Sequence, residues 1–561
     1  TSFKEKVKKI YKSLSPEKVL LFWFLITVGI ALIFSSLIML NQKITKVIPT
    51  LGGSINEGII GTPRFINPVL ASADQDNDLV SLIFAGLTKR YQDGSVIHDM
   101  AEKIDMSDDG LHYNALIKDD AKFHDGKPVT ADDVIYTISL IQNSIIKSPH
   151  RVEFEGVNME KISDKEIRFS LKKPYPLFLS VLSIGILPKH IWKNLNDDQF
   201  SLSDYNINAI GSGPFMIDTV TRDSGIPVSI SLKSFKNYTL HRPYLDNITI
   251  YAYQNEKYLL EGYKNGEVDR IHGITPDKLK ELNISDDKVK TSLLPRTITV
   301  FFNPNKANIL SDKKVRLALN SAIDKTSIVN NVLSSYGKII NSPYPFEEGI
   351  DENKYNTEEA KDFLSSSKAF KKADGKVSLT LTTVNTNEMK ATADMIKKYW
   401  EDIGIETNIV VYEPSDLNQS IIKNRDFEVL LFGSITDTPA DLYAFWHSSQ
   451  RNYPGLNISN YASQKLDTQL ETLRENNDEL ERIKAYENVK KEWADEMPSI
   501  FLYAPKMIYI NKDKITSILP KNSFDNSDRF LLAEYWYKNT ERVWLKTDIE
   551  TIIKKLEWII H

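Results

Sequence analysis

Residues 426–441 read DFEVLLFGSITDTPAD. Phe427, Val429, Leu430, Leu431 and Phe432 make a short, nearly continuous apolar run, the pattern of a strand covered on both faces, as in a parallel sheet. At Gly433 the run opens into Ser434, Ile435, Thr436, Asp437 and Thr438, a polar loop with one carboxylate near its middle. Upstream, Val377–Thr383 alternates as a strand. Glu388–Asp402 reads as a helix with Met395, Tyr399 and Ile403 on one face, stopped by Gly404. Ile405–Tyr412 is a second β-branched run, and Ser415 caps a short helix to Lys423. The order is βαβαβ, with right-handed crossovers expected. Ligands of open α/β sheets sit beyond the carboxyl ends of the strands, which makes 433–441 a candidate ligand wall. The plainer reading is that Asp437 closes a turn.

The chain has 561 residues, too many for one hydrophobic core, so about two to four domains are expected. Apolar residues at 41% and charged residues at 26% describe a globular chain rather than a disordered one. There is no cysteine, which excludes disulfides, thiolate metal sites, a cysteine nucleophile and a lipid-modified cysteine. Val19–Leu40, VLLFWFLITVGIALIFSSLIML, is 22 residues without a charge, enough to cross a bilayer as a helix. Six lysines (4, 6, 8, 9, 12 and 18) precede it and only Lys43 and Lys46 follow closely. That asymmetry predicts residues 1–18 in the cytoplasm and the main domain outside, at the cell membrane, on a single pass. A cleaved signal peptide is the rival; its apolar core is usually shorter, and no small-x-small site follows Leu40.

Eight lysines and two glutamates give the first fifty residues +6, which leaves −11 of the total −5 for the rest. No basic stripe with interleaved aromatics occurs, and nucleic acid is not an expected partner. Residues 547–561 form a separate amphipathic tail, with Ile549, Ile552, Ile553, Leu556, Ile559 and Ile560 at helical spacing. It is expected to dock on the body or on a partner.

Along the external part, Leu111, Tyr113, Ala115 and Ile117 alternate as a half-buried strand, and Thr130 with Asp133 makes a capping pattern for the next helix. AIGSGPF (209–215) is Gly-rich but lacks the lysine and spacing of a phosphate loop; it reads as a tight crossing between lobes. Ile500–Tyr503 and Met507–Ile510 read as two apolar strands flanking Pro505. The nine histidines are scattered, and none forms an HExxH or another close metal-ligand pair. No GxSxG elbow is present. His124 reads as a structural hydrogen-bonding residue, and Asp132 and Asp133 as helix-start charges. The reading is therefore binding rather than catalysis, with no catalytic residue, metal site or cofactor expected.

Several blocks in order resemble the solute-binding proteins of peptide ABC importers, family 5, the oligopeptide-, dipeptide- and nickel-binding type. The resemblance covers about 52–545 and is strongest at 101–134, AEKIDMSDDGLHYNALIKDDAKFHDGKPVTADDV. NPVLASADQDNDLVSLIFAGL (67–87), GSGPF (211–215), FFNPN (301–305), KKVRLALNSAIDK (313–325) and GKIINSPYPF (337–346) are similar to its other blocks. It implies an α/β type II periplasmic-binding-protein fold of two lobes plus an extra subdomain, here preceded by one transmembrane helix (19–40). Lobe I would comprise 51–97, 208–298 and 499–546, the extra subdomain 98–207, and lobe II 299–498.

The implied function is extracytoplasmic capture of a peptide in the interlobe cleft and delivery to ABC permease subunits, by a monomer. In peptide-binding members an Asp just past a lobe II strand pairs with the ligand's ammonium, which falls here on Asp437. Gly433, Ser434, Ile435 and Thr436 would pair with the peptide backbone, faced by Ser72 and Ala73 of lobe I. Trp400, Tyr443 and Trp446 are candidate pocket walls. After Asp437 the sequence TPADL departs from the commoner acidic–Pro pair, and an intact apolar helix without cysteine departs from the usual lipidated or cleaved leader. Nickel-chelate, haem or sugar capture on the same fold, or a surface signalling or adhesion role, are the alternatives.

Overall fold

The computed structural model describes residues 15–91, 95–347, 355–436, 438–512, 515–517 and 519–544. The chain divides into two compact units, Thr1–Gly53 with Tyr537–His561, and Ser54–Trp536.

In the first unit, Pro16 starts the helix Pro16–Ile44, where its missing N–H costs nothing. Its window Pro16–Met39 is 24 residues, 0% buried, and long and apolar enough to cross a membrane. The strand Thr45–Thr50 follows directly and pairs antiparallel with Asn539–Trp544.

The second unit is built on a 12-stranded mixed sheet. Ile405–Tyr412, Val377–Val384 and Val429–Ile435 lie side by side and parallel, with Val377–Val384 in the middle. This is the βαβαβ reading, with helix Asn387–Glu401 as the first crossover. Arg296–Phe302 then runs antiparallel to Val429–Ile435, so the sheet turns mixed where 426–441 meets a strand distant in sequence.

Ser499–Asn511 is one continuous strand rather than two. Its first half pairs with Arg296–Phe302 through a bulge, and its second half with Val289–Leu293 and Arg270–His272. Pro505 sits where the strand changes neighbours, opposite Gly337. A residue without an N–H is tolerated in a strand at such an irregularity. The sheet continues through Ser54–Ile60, Asn247–Tyr253, Ile226–Ser234 and Phe215–Asp223. A separate four-stranded antiparallel sheet uses Ala101–Met106, His112–Ile117, Glu166–Ser170 and Asn158–Lys161.

The described residues form three apolar cores. One gathers residues between Ile55 and Ile250 with Ile515, Phe530 and Trp536. A second spans Leu293 to Ala504. A small third core packs Leu259 and Tyr263 on Ile271, Ile508 and Ile510. Helix Asn387–Glu401 buries Met389, Ala393, Ile396 and Trp400, a face rotated from the expected one; Met395 and Tyr399 lie at its flank. The indole decides the rotation, since a fully buried tryptophan removes more apolar area from water than the flanking side chains.

Gly211 lies in the segment read as a tight crossing. A Cβ there would lie 2.1 Å from the Ile83 carbonyl oxygen, so the segment is pressed onto the end of helix Asp74–Ile83 within the first core. His124 locks it from the other side. Its Nδ1 accepts from the Gly211 N–H (3.3 Å), which leaves Nε2–H to donate to the Gly213 carbonyl (3.1 Å). Burial holds the imidazole down at about 4, hence neutral.

Candidate ligand-binding cleft

Val429, Leu430 and Leu431 are fully buried, as a two-faced apolar run requires, and the strand then rises to the surface until Ile435 is 60% exposed. On one edge, residues 429–435 are paired throughout with Arg296–Phe302. On the other edge, Val377–Val384 pairs only with Val429 and Leu430. Among the described residues, no strand covers the edge of Phe432–Ile435. A stretch of unpaired backbone at the carboxyl end of a buried strand is a template for one more strand.

The residues around that edge are held firmly. Ser434 Oγ and Thr297 Oγ1 are 2.9 Å apart, and the Thr436 N–H donates to the Pro295 carbonyl at 3.0 Å. Gly433 is overlaid by the Arg296 side chain, whose Nε would be 3.4 Å from an added Cβ, with Ile298 Cδ1 at 3.3 Å. Arg296 reaches Glu388 at 3.4 Å, and Glu388 accepts from the Tyr503 hydroxyl at 3.1 Å. Asp437 lies outside the described residues. Beyond it, the Thr438 N–H and hydroxyl donate to Asp441 Oδ2 at 2.8 and 3.0 Å, starting the turn Pro439–Asp441.

Thr438, Pro439 and Ala440 form part of the wall of a 560 Å³ cleft, within the size range of small-molecule and peptide sites. Tyr344, Phe346, Leu473, Glu479, Arg482, Ile483 and Tyr486 line it as well, and Pro176, Leu177, Asn522 and Phe524 close the cleft from elsewhere in the chain. Phe346 and Phe524 meet edge to face at 5.3 Å, and the Arg90 guanidinium lies 4.6 Å over the Phe524 ring. Tyr486 donates to Glu347, which Lys490 also approaches at 3.3 Å. Burial and the Glu347 carboxylate push the Tyr486 phenol far up, which keeps it a donor. Arg482 spends one Nη on the Asn476 and Asn477 carbonyls at 2.9 and 3.0 Å, which positions its guanidinium at the cleft.

Ser72 is exposed and Ala73 half-buried, just before helix Asp74–Ile83. The Ala73 carbonyl accepts from the Asp76 and Asn77 N–H groups, both at 3.0 Å. Asn526 donates to Asp74 at 2.7 Å and Asn77 to Asp525 at 3.0 Å. Burial, and then the nearby Asp528, Asp74 and Asp78 carboxylates, push Asp525 up to about 6. No hydrogen bond, ion pair or ring contact joins 72–73 to 433–436 among the described residues.

Two aromatic expectations are corrected. Trp400 is 0% exposed with its indole N–H on the Leu319 carbonyl (3.0 Å), and Trp446 is 2% exposed against Trp493 and Phe501. Both are packed core with no surface to offer a ligand. Tyr443 is half-buried, stacked on His447 at 4.2 Å under the Arg474 guanidinium. The cleft aromatics Tyr344, Phe346, Tyr486 and Phe524 were not singled out from sequence. They come from three distant segments, and only GKIINSPYPF (337–346) carried a visible signal. Among the described residues, no three His, Asp or Glu side chains converge as metal ligands.

Residues 95–454 match the bacterial extracellular solute-binding proteins, family 5 Middle. The oligopeptide-binding protein AppA of Bacillus subtilis is 29% identical over 510 residues, covering 87% of this chain and 93% of its own. The structure of AppA from Bacillus subtilis in complex with a nonapeptide superposes with a TM-score of 0.66 at 27% identity, over 88% of this chain and 100% of that one. The ABC transporter substrate-binding protein CtaP of Listeria monocytogenes gives a TM-score of 0.75 at 25% identity, over 87% and 99%. With the mixed sheet, the open strand edge and the cleft beside it, these matches place the chain in the family 5 bacterial extracellular solute-binding proteins.

Proposed function

We propose that this protein is held at the cell membrane by Pro16–Met39, captures peptides in the cleft beside Phe432–Ile435, and delivers them to an ABC permease. The observation that carries the peptide reading is the uncovered edge of Phe432–Ile435, followed in the chain by Thr438–Ala440 in the wall of an aromatic-lined cleft. An extended peptide adds to such an edge through main-chain hydrogen bonds, which any sequence supplies, while the cleft accepts side chains. Asp437 would pair with the peptide ammonium, and Ser72 and Ala73 would supply the facing wall. The lobe division at 51–97, 208–298 and 499–546 against 299–498, with 98–207 as extra subdomain, is part of this proposal, as is a monomeric state.

Mass spectrometry of what co-purifies with a chain beginning at Thr45 tests the ligand class. Short peptides are expected; a nickel chelate, haem or sugar in their place would overturn the peptide reading. Contacts from two walls favour a closed state when ligand is bound. Small-angle scattering should therefore give a smaller radius of gyration with saturating peptide, and an unchanged radius would argue against closure.

Anchoring is tested separately. The full chain should stay with membranes through an alkaline carbonate wash, and the chain beginning at Thr45 should be released. Release of the full chain would remove the anchor reading without touching the ligand.

A further inference from the structure

Four rings in the cleft wall form a continuous row. Tyr486 meets Tyr344 edge to face at 6.0 Å, Tyr344 meets Phe346 at 5.6 Å, and Phe346 meets Phe524 at 5.3 Å. Interplanar angles of 87°, 90° and 65° let each ring edge meet a neighbouring face, the arrangement that aromatic quadrupoles favour. All four rings are half-buried and line the cleft, so each is held by protein on one side and offers surface on the other. Trp400 and Trp446, closed into the core, offer none. All four rings belong to the described residues, whereas the amphipathic tail 547–561 lies outside them.

The polar groups around the row hold it in place. The Tyr486 hydroxyl donates to Glu347 and lies 3.3 Å from Ser342 Oγ, which commits its polar tip to the protein and leaves the ring for a ligand. Lys490 Nζ sits 5.2 Å over the Tyr486 ring and the Arg90 guanidinium 4.6 Å over Phe524. Both end rings therefore already carry a cation on one face, and a third cation, Arg482, stands in the cleft wall. A cationic side chain entering the row would be repelled by these charges and would find those two faces taken. Glu479 also lines the cleft but is exposed, where water and salt screen its charge. Buried Leu473 is part of the apolar remainder of the lining.

We propose that the cleft selects peptides carrying an aromatic side chain, which enters as one more ring of the row Tyr486–Tyr344–Phe346–Phe524. The proposal rests on the peptide reading of the cleft and adds the side-chain class to it. Main-chain bonding along Phe432–Ile435 is indifferent to sequence, so discrimination falls to the row. Burying an aromatic side chain in place of alanine, with an edge-to-face contact added, favours the aromatic peptide by at least about tenfold.

Full-length protein in mild detergent would be equilibrated with a synthetic pool of random peptides of mixed length, and the retained peptides sequenced by mass spectrometry. Phenylalanine, tyrosine or tryptophan should be enriched over the pool by at least about tenfold, at one fixed distance from the amino end. Tyr344→Leu, Phe346→Leu and Phe524→Leu each replace one ring by an apolar side chain. Each should still retain peptides and lose most of the aromatic enrichment; a variant that does not fold leaves the others to be read. Retained peptides with the composition of the pool, or enriched equally in leucine or in lysine and arginine, would overturn the inference and leave the peptide reading standing. So would aromatic enrichment that the folded variants keep in full. Retention of no peptide by the natural protein would overturn both.

Discussion

Replacing Arg529 with methionine is expected to destabilise the second unit by about 3–5 kcal/mol at neutral pH, because it strands two buried carboxylates. Arg529 is fully buried; its Nε lies 2.7 Å from Glu57 and its Nη2 2.6 Å from Asp78. Glu57 also accepts from Tyr509 at 2.7 Å, Arg270 approaches the Tyr509 hydroxyl at 3.3 Å, and His272 lies 3.4 Å from Asp78. Burial pushes the Asp78 carboxyl up, but Arg529 and then His272 outweigh it and hold it below the ordinary range. A depressed folded pKa contributes stability that is present above the unfolded value of about 4 and is lost as pH falls through the folded value.

Without Arg529, burial wins and Asp78 takes up a proton on folding, so the deficit of Arg529→Met should be widest at pH 7 and narrow toward about pH 4. His124, held neutral at about 4 by burial, contributes stability in both proteins that is lost as pH falls below about 6.5. It therefore cancels from the comparison. Urea denaturation read by tryptophan fluorescence is the measurement, with Trp536 reporting locally under the Arg270 guanidinium at 4.8 Å. A deficit below about 1 kcal/mol at pH 7, or one independent of pH, would refute this account of the cluster. Ligand affinity should fall too, since Asp78 holds the helix after Ser72 and Ala73, and Arg529 the turn after Phe524.

How much of this was legible in the sequence follows from the range of each signal. The βαβαβ unit was readable because each strand and helix is specified within a dozen residues by its own periodicity, and Val377–Val384, Asn387–Glu401 and Ile405–Tyr412 formed where the pattern placed them. The open edge of Phe432–Ile435 was not readable, since it depends on where Val377–Val384 stops pairing. Trp400 was misplaced because an aromatic near a strand end looks the same in sequence whether it faces a cleft or a core. The Glu57–Asp78–Arg529 cluster was invisible: its members are up to 472 positions apart, and no local pattern marks a charge destined for burial. Pro505 argued for two strands, and the neighbour change that accommodates it is a property of the whole sheet.

Asp437→Asn is expected to lower affinity for a free-amine peptide at least about tenfold and to leave the fold intact. The loop is secured without it, by the Thr436 N–H on Pro295 and by Thr438 on Asp441. Asparagine keeps the size of the aspartate and removes its charge. If Asp437 meets the peptide ammonium inside a closed cleft, the pair is charge-assisted and worth roughly 1.5–3 kcal/mol, and the ammonium left buried alone can cost about 3–5 kcal/mol. N-acetylated peptide should lose affinity for the natural protein by a similar factor. The two losses should not add, because each deletes the same interaction. Calorimetry of both proteins with free and acetylated peptide closes that cycle. Arg482 supplies the internal control: it faces the cleft from another helix, so Arg482→Gln should alter side-chain or carboxylate preference and leave the acetylation penalty unchanged. Equal affinity of the natural protein and Asp437→Asn for a free-amine peptide would sink the assignment and point to a ligand held by the open strand edge alone.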